Sequence, residues 1–253
     1  IQRARSDTLS GQMHAHGKRE HTLSSSDAAQ LPFSLIRYFF PERIRIMWIH
    51  REKYIEMMKD TNWAPGWDAI RDAFSVVYGD TGTYRTTDTI PGMRSSLEGF
   101  GVYQSQHGYT HIVTRGMSQI HPHKDACNNK TSGWGLEFSI KCPDADPDLP
   151  RAFHILDWLA EGIDIRKDGW SMLYPQEVKL DDVPEDLLAE PGSTLALIPD
   201  TEIPFIDTIH GEVNIRQVIG ISAKDNEQLR RFPSLMKQVI FELSKKNAYL
   251  LFH

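Results

Sequence analysis

The chain has 253 residues, 40% of them hydrophobic and 25% charged, with a formal net charge of −6. This is the composition of a soluble globular protein large enough to bury a sizeable core, not of a fibrous, collagen-like or wholly disordered chain. Two cysteines, Cys127 and Cys142, provide neither a disulfide framework nor a C-x-x-C zinc pair, and point to a reducing, cytoplasmic compartment.

The charge is unevenly spread. Residues 1–46 hold seven Lys/Arg and four Asp/Glu, a net of +3, and the rest holds 21 against 30, a net of −9. An acidic body repels nucleic-acid phosphates and suits a basic protein partner.

Residues 1–30, rich in Ser, His, Gln and charge, show no periodicity and are expected to be disordered. The apolar stretch "LPFSLIRYFF" is about half of a membrane span and is broken by Arg37, so neither a signal peptide nor a transmembrane helix is expected. Because the text opens on Ile and becomes organised at Met47, residues 1–46 are expected to be a leader or a non-native upstream extension, with the domain over 47–253.

From Met47, "MWIHREKYIEMMKD" places Ile49, Tyr54 and Met58 near one helical face. "WAPGWDAI" follows, where Pro65 and Gly66 predict a turn between two helices and Trp63 and Trp67 are expected to bury their rings and clamp it. Ile70, Ala73, Phe74 and Val77 then recur at helical spacing. "GFGVYQS", "THIVTRG", "STLALIPD" and "VNIRQVIGIS" read as strands.

In "GLEFSIKC", Leu136, Phe138, Ile140 and Cys142 alternate with Glu137, Ser139 and Lys141, predicting a half-buried strand with its polar residues outward. "DLPRAFHILDWLAEGID" predicts a helix starting near Asp148 and ending near Gly162, with Phe153, Leu156, Leu159 and Ala160 inward. "KLDDVPEDLLAEPGS" reads as a connection, and the closing helical text breaks at Pro233. The expected fold class is α+β, a mixed and largely antiparallel sheet packed against helices in a single domain.

Signatures of chemistry are sparse. The sequence contains no P-loop, nucleophile elbow, H-E-x-x-H or dinucleotide fingerprint, and no cofactor is expected. His107 and His111 on a strand would stand about 13 Å apart, too far to share an ion directly. His121, His123 and Asp125, with Cys127 nearby, form the one short metal-ligand pattern. They give the alternative function, a metal-assisted hydrolase with Glu137 as base. Glu137 and Asp207 are the candidate carboxylate pair.

Five segments, in order, resemble the suppressor of fused domain family. The opening signature matches at Ala64, Pro65, Gly66, Trp67, Ala69 and Ile70, and "SLEGFGVYQ" is similar to the next strand. "HIVTRGMS" follows through His111, Val113, Thr114, Gly116 and Ser118. "SGWGLEFSIK" matches at Ser132, Gly133, Trp134, Gly135 and Glu137, and the last segment at Ile206, Thr208, Gly211, Val213, Gln217 and Gly220. Thr110, Ile112, Arg115 and Ile209 depart from the family pattern. The nearer comparison is a bacterial-type, single-domain member, without the second domain of the animal protein.

That resemblance implies a non-enzymatic protein-binding module, an immunity protein that neutralises a toxin by steric occlusion. Tyr109, His111, Asp125, Trp134 and Glu137, on or beside the matched strands, are the candidate partner-binding positions if they face outward. For Trp134 and His111, packing is the favoured alternative. The partner is expected to be a protein, a basic toxin domain, and neither nucleic acid nor membrane.

Overall fold

The computed structural model describes residues 49–93, 95, 97–144, 149–165 and 177–252, all within the compact unit Pro41–His253. The expected leader and Asp148 lie outside these residues. Among the described residues five α-helices and eight strands follow in chain order: α1 Arg51–Met57, α2 Pro65–Tyr78, β1 Thr83–Thr86, β2 Gly99–Gln104, β3 Tyr109–Arg115, β4 Thr131–Pro143, α3 Leu149–Ile165, β5 Val178–Lys179, β6 Thr194–Pro199, β7 Phe205–Thr208, β8 Gly211–Ile221, α4 Ala223–Arg231 and α5 Met236–Lys246. The class is α+β in one mixed sheet, as expected.

The sheet runs β1-β2-β3-β4-β8-β6-β5, with β7 also on β8. Its centre is the parallel pair β4 and β8, where Leu136 stands opposite Asn214 and Ile140 opposite Val218. The other pairings are antiparallel. One edge of β8 is shared: β7 covers Gly211–Asn214 and β6 covers Arg216–Ile221, so the turn between β6 and β7 lies across the middle of the strand.

Both faces of the central strands are covered. Leu136, Phe138, Ile140 and Cys142 of β4 pack with Phe153, Leu156, Leu159 and Ala160 of α3 in one core. On the opposite face, Ile70, Phe74 and Tyr78 of α2 pack with Tyr103, Tyr109, Val113, Val213 and Ile215, joined by Tyr249 and Leu251 near the C-terminus. A third cluster seats α4 and α5, through Leu229, Met236, Val239 and Ile240, on Ala196, Ile198, Ile219 and Ile221.

Double coverage corrects the half-buried reading of β4: Glu137, Ser139 and Lys141 are fully buried. Alternation separated the two faces correctly, but burial of the polar one depends on α2 and on chain far away in sequence. Val77 is exposed, and Tyr78 takes the inward place expected of it. Pro65 and Gly66 are not the turn; they open α2 and are buried in its first helical turn, where proline lacks an N–H that would have had no helical partner anyway. A Cβ on Gly66 would run into the Gln119 carbonyl, and its own N–H donates to Ile120 O at 3.1 Å. Glycine is there for close approach. The break at Pro233 is a short 3₁₀ turn between α4 and α5. α3 continues three residues past Gly162.

Candidate functional site

The polar face of β3, β4 and β8 carries a closed network beneath α2. Asp200 and Glu202, from the turn after β6, lie against His111 of β3 and Ser139 and Lys141 of β4. Lys141 Nζ lies 3.2 Å from Asp200 Oδ1 and 2.9 Å from Glu202 Oε2. Ser139 Oγ donates to Asp200 Oδ2 at 2.7 Å, and the Glu202 and Ile203 amides donate to Asp200 Oδ1 at 2.9 and 3.0 Å. Tyr109 donates to Glu202 Oε2 at 2.6 Å, and the Tyr78 hydroxyl also donates to it. Tyr78 Oη lies 2.7 Å from His111 Nδ1, while His111 Nε2 is 3.0 Å from Asp200 Oδ2 without the alignment of a hydrogen bond. Gln217 ties the turn to the C-terminal segment: its amide oxygen accepts from Thr201 N at 3.2 Å, and its nitrogen donates to Tyr249 O at 2.9 Å.

Burial shapes the ionisation of this network. It would raise Asp200, but Lys141 and His111 outweigh it and hold the carboxyl far below the usual range. Glu202 is held down likewise, burial being outweighed by Lys141 and the two tyrosine hydroxyls. Burial pushes His111 below the ordinary histidine value against the pull of Asp200. Burial and the Glu202 charge drive Tyr78 far up, and burial with the hydrogen bond to Glu202 does the same for Tyr109, so both phenols stay protonated.

His111, Asp200 and Glu202 bring three ligand atoms within 4.8 Å of one another, close enough to share a cation. Lys141 already supplies positive charge to both carboxylates there. The arrangement is a buried ion cluster that pins the turn after β6 onto the sheet.

A second network closes the loop after β3. Glu137 accepts from Thr114 Oγ1 at 2.6 Å and from Ser118 N and Oγ at 2.8 and 2.5 Å. Burial raises its pKa against these donors. In the same region Gly133, at φ +56°, lies where a Cβ would meet Gln119 N at 2.6 Å and Met117 O at 2.8 Å. Gly116 and Gly135 also have positive φ, and Thr208 closes the β7–β8 turn by donating to Gly211 O at 2.8 Å. Gly220 stands opposite Leu195 in the β6–β8 ladder.

The two tryptophans are half-buried and do separate jobs. Trp63 meets Tyr54 of α1 edge-on at 5.3 Å, and Tyr54 in turn contacts His210 Nε2 at 2.9 Å. Trp67 meets Tyr84 edge-on at 4.7 Å, and its face covers the buried Arg115 guanidinium, which lies 4.8 Å from the Tyr84 ring centre. Burial lowers Arg115 to about 9, so it remains cationic at neutral pH and its approach to the Tyr84 ring is a desolvated cation–π interaction.

The five candidate partner positions divide. Tyr109, His111 and Glu137 do not face outward: all three are fully buried. Asp125 and Trp134 do, Trp134 at 45% exposure against the packing expected of it, and Asp125 in a surface pair with Arg51 at 3.3 Å. The hydrolase pattern separates as well. His121 approaches Glu98 at 3.3 Å and Asp125 reaches Arg51, and among the described residues the side chains of His121, His123 and Asp125 are not brought together as a ligand set. Asp207 stands opposite Glu212 on β7, whereas Glu137 uses both oxygens on Thr114 and Ser118. Asp200 and Glu202, central to the ion cluster, carry no local signal in the sequence. Lys141 was visible only as an outward-looking lysine.

The family model described as Suppressor of fused protein (SUFU) matches residues 94–247, well over half of the chain. The chain belongs to the Suppressor of fused family. A crystal structure of Drosophila Suppressor of Fused aligns with a TM-score of 0.55 at 18% identity, over 75% of this chain and 50% of that one. The structure described as the Sufu-Fu complex aligns with a TM-score of 0.56 at 17% identity, over 75% of this chain and 89% of that one. The chain thus spans half the length of the Drosophila protein. No curated protein matches by sequence. In Suppressor of fused this type of domain is a protein-binding module. Among the described residues, no helix is long and apolar enough to cross a membrane.

Proposed function

We propose that the protein is a non-enzymatic, cytoplasmic binding module that sequesters a basic protein partner, a toxin domain, and neutralises it by steric occlusion. Membership in a family in which this domain binds proteins carries the proposal. The excess of 30 acidic over 21 basic residues from position 47 onward supports the charge of the partner, since an acidic body steers basic proteins over a long range that salt shortens.

Asp125 and Trp134 remain as contact positions: one carboxylate and one large exposed ring of the kind that anchors interfaces. The full chain, tagged in its native host and purified at low and high salt, is expected to retain one stoichiometric basic protein that salt releases and whose own activity it inhibits. Reproducible absence of a partner would defeat the proposal. Asp125→Asn with Trp134→Ala should weaken capture at least tenfold with the melting temperature unchanged; undiminished capture would remove these two positions from the interface.

A further inference from the structure

A cavity of about 620 Å³ lies between α3 and the short segment 184–187. On α3, Arg151, His154, Asp157, Trp158 and Glu161 recur three or four positions apart, which sets them along one side of the helix and makes one wall. Asp186 and the apolar Leu187 belong to the other. The Arg151 guanidinium is engaged at the edge, where Nη1 donates to Leu188 O at 3.4 Å and the group lies 5.0 Å from the centre of the Phe252 ring. The carboxylates of Asp157, Glu161 and Asp186 outnumber it three to one.

Asp157 adds an independent observation. It lines the cavity yet is only 8% exposed, and its Oδ1 has no hydrogen-bond partner among the described residues. A carboxylate withdrawn from water without a donor is costly, and Glu161, one helical turn on, adds like-charge repulsion. A cationic N–H donor in the cavity offsets both.

The spacing of the carboxylates selects the kind of cation. Among the described residues the one His/Cys/Asp/Glu trio with ligand atoms within 4.8 Å of one another is the buried His111, Asp200 and Glu202. Asp157, Glu161 and Asp186 are spread more widely, which suits a longer molecule with separate charges better than a single metal ion. Trp158 supplies aromatic surface, which attracts alkylammonium groups, and Leu187 supplies apolar contact for methylenes.

We infer that this cavity binds a linear aliphatic polyamine, with its ammonium groups on Asp157, Glu161 and Asp186 and its methylenes against Trp158 and Leu187. Neither Asp125 nor Trp134 lines the cavity, so the inference holds whether or not the protein sequesters a partner.

The test titrates the full chain with spermidine by NMR at constant ionic strength, with magnesium chloride as the control. Spermidine is expected to shift amide signals of residues 151–161 and 184–187 and to bind at least tenfold more tightly than magnesium. Asp157→Asn keeps the shape and removes the charge; it should weaken spermidine binding at least tenfold without lowering the melting temperature. Glu161→Gln, at an exposed position, should weaken binding at least threefold and decides the matter if the first variant does not fold.

No binding, shifts dispersed over the acidic surface or equal affinity for magnesium would overturn the inference. Unchanged affinity in either variant would do the same. A lower melting temperature for Asp157→Asn would show that the fold itself uses this carboxylate, and would also overturn it.

Discussion

At Lys141 a buried ammonium holds two carboxylates from a turn about sixty positions later, Asp200 at 3.2 Å and Glu202 at 2.9 Å. Taking three charged groups out of water is costly, and the contacts repay it only while every member is present. Lys141→Met keeps much of the volume and removes the charge, leaving Asp200 fully buried and Glu202 at 17% side-chain exposure without their cation. Breaking such a pair costs about 3–5 kcal/mol. Denaturant unfolding should show a loss of that order, and a loss under about 1 kcal/mol would mean that the cluster tolerates the unpaired charges. Alternation identified the face on which Lys141 lies but not what covers it. A strand position carries one bit of information, in or out, and nothing in "GLEFSIKC" announces α2, Asp200 or Glu202 on its polar side.

Helix α2 shows how an element is placed by contacts that its own text does not contain. Ile70 and Phe74 were readable as its inward stripe, and its start at Pro65 follows from proline's tolerance of the first turn. Its height above the sheet is set at Gly66, where the backbone approaches the 119–120 loop. Gly66→Ala separates two effects of opposite sign. Alanine is the better helix former by about 1 kcal/mol, so a glycine without tertiary duty would give a more stable variant. The clash with the Gln119 carbonyl predicts a lower melting temperature instead, and thermal denaturation decides between them. The half-burial of Trp67 has a similar cause: its ring lies over Arg115, a cation on the strand behind it, and so is a cover for a buried charge. The sequence marked Arg115 as a departure from the family pattern without revealing that it lies between Trp67 and Tyr84.

Over the whole molecule the buried ionisable groups make stability depend on pH. His111 and His210 are held below the ordinary histidine value by burial. On acidification below about pH 6.5 the unfolded chain therefore takes up protons that the folded chain refuses, and stability falls. Asp200 and Glu202, kept low chiefly by Lys141 against their own burial, act with the same sign below about pH 4. Glu137 opposes them: burial raises its pKa, so the folded chain keeps a proton that the unfolded chain releases above about pH 4.3, and its share of stability is lost as pH rises. Glu137→Gln removes the opposing group, and its oxygen can still accept from Ser118. Melting temperatures followed from pH 7 down to about pH 4.3 should fall more steeply in this variant than in the wild type; parallel curves would mean that Glu137 ionises as it does in the unfolded chain.

The sequence by itself determined the periodicities, and with them β2, β3, β4, β6 and β8, the apolar stripe of α3, the α+β class and the family. These depend on residues a few positions apart, where the geometry of helix and strand is fixed in advance. It did not reveal the short strands β1, β5 and β7, whose two to four residues span too little for a period to register. Only the tertiary structure decided that the polar face of β4 is interior, that Asp200 and Glu202 meet Lys141, and that Asp125 and Trp134 are the exposed members of the five candidate positions. Those outcomes require segments tens of residues apart to meet across a sheet, and the free energy of a buried charge depends on which groups arrive beside it.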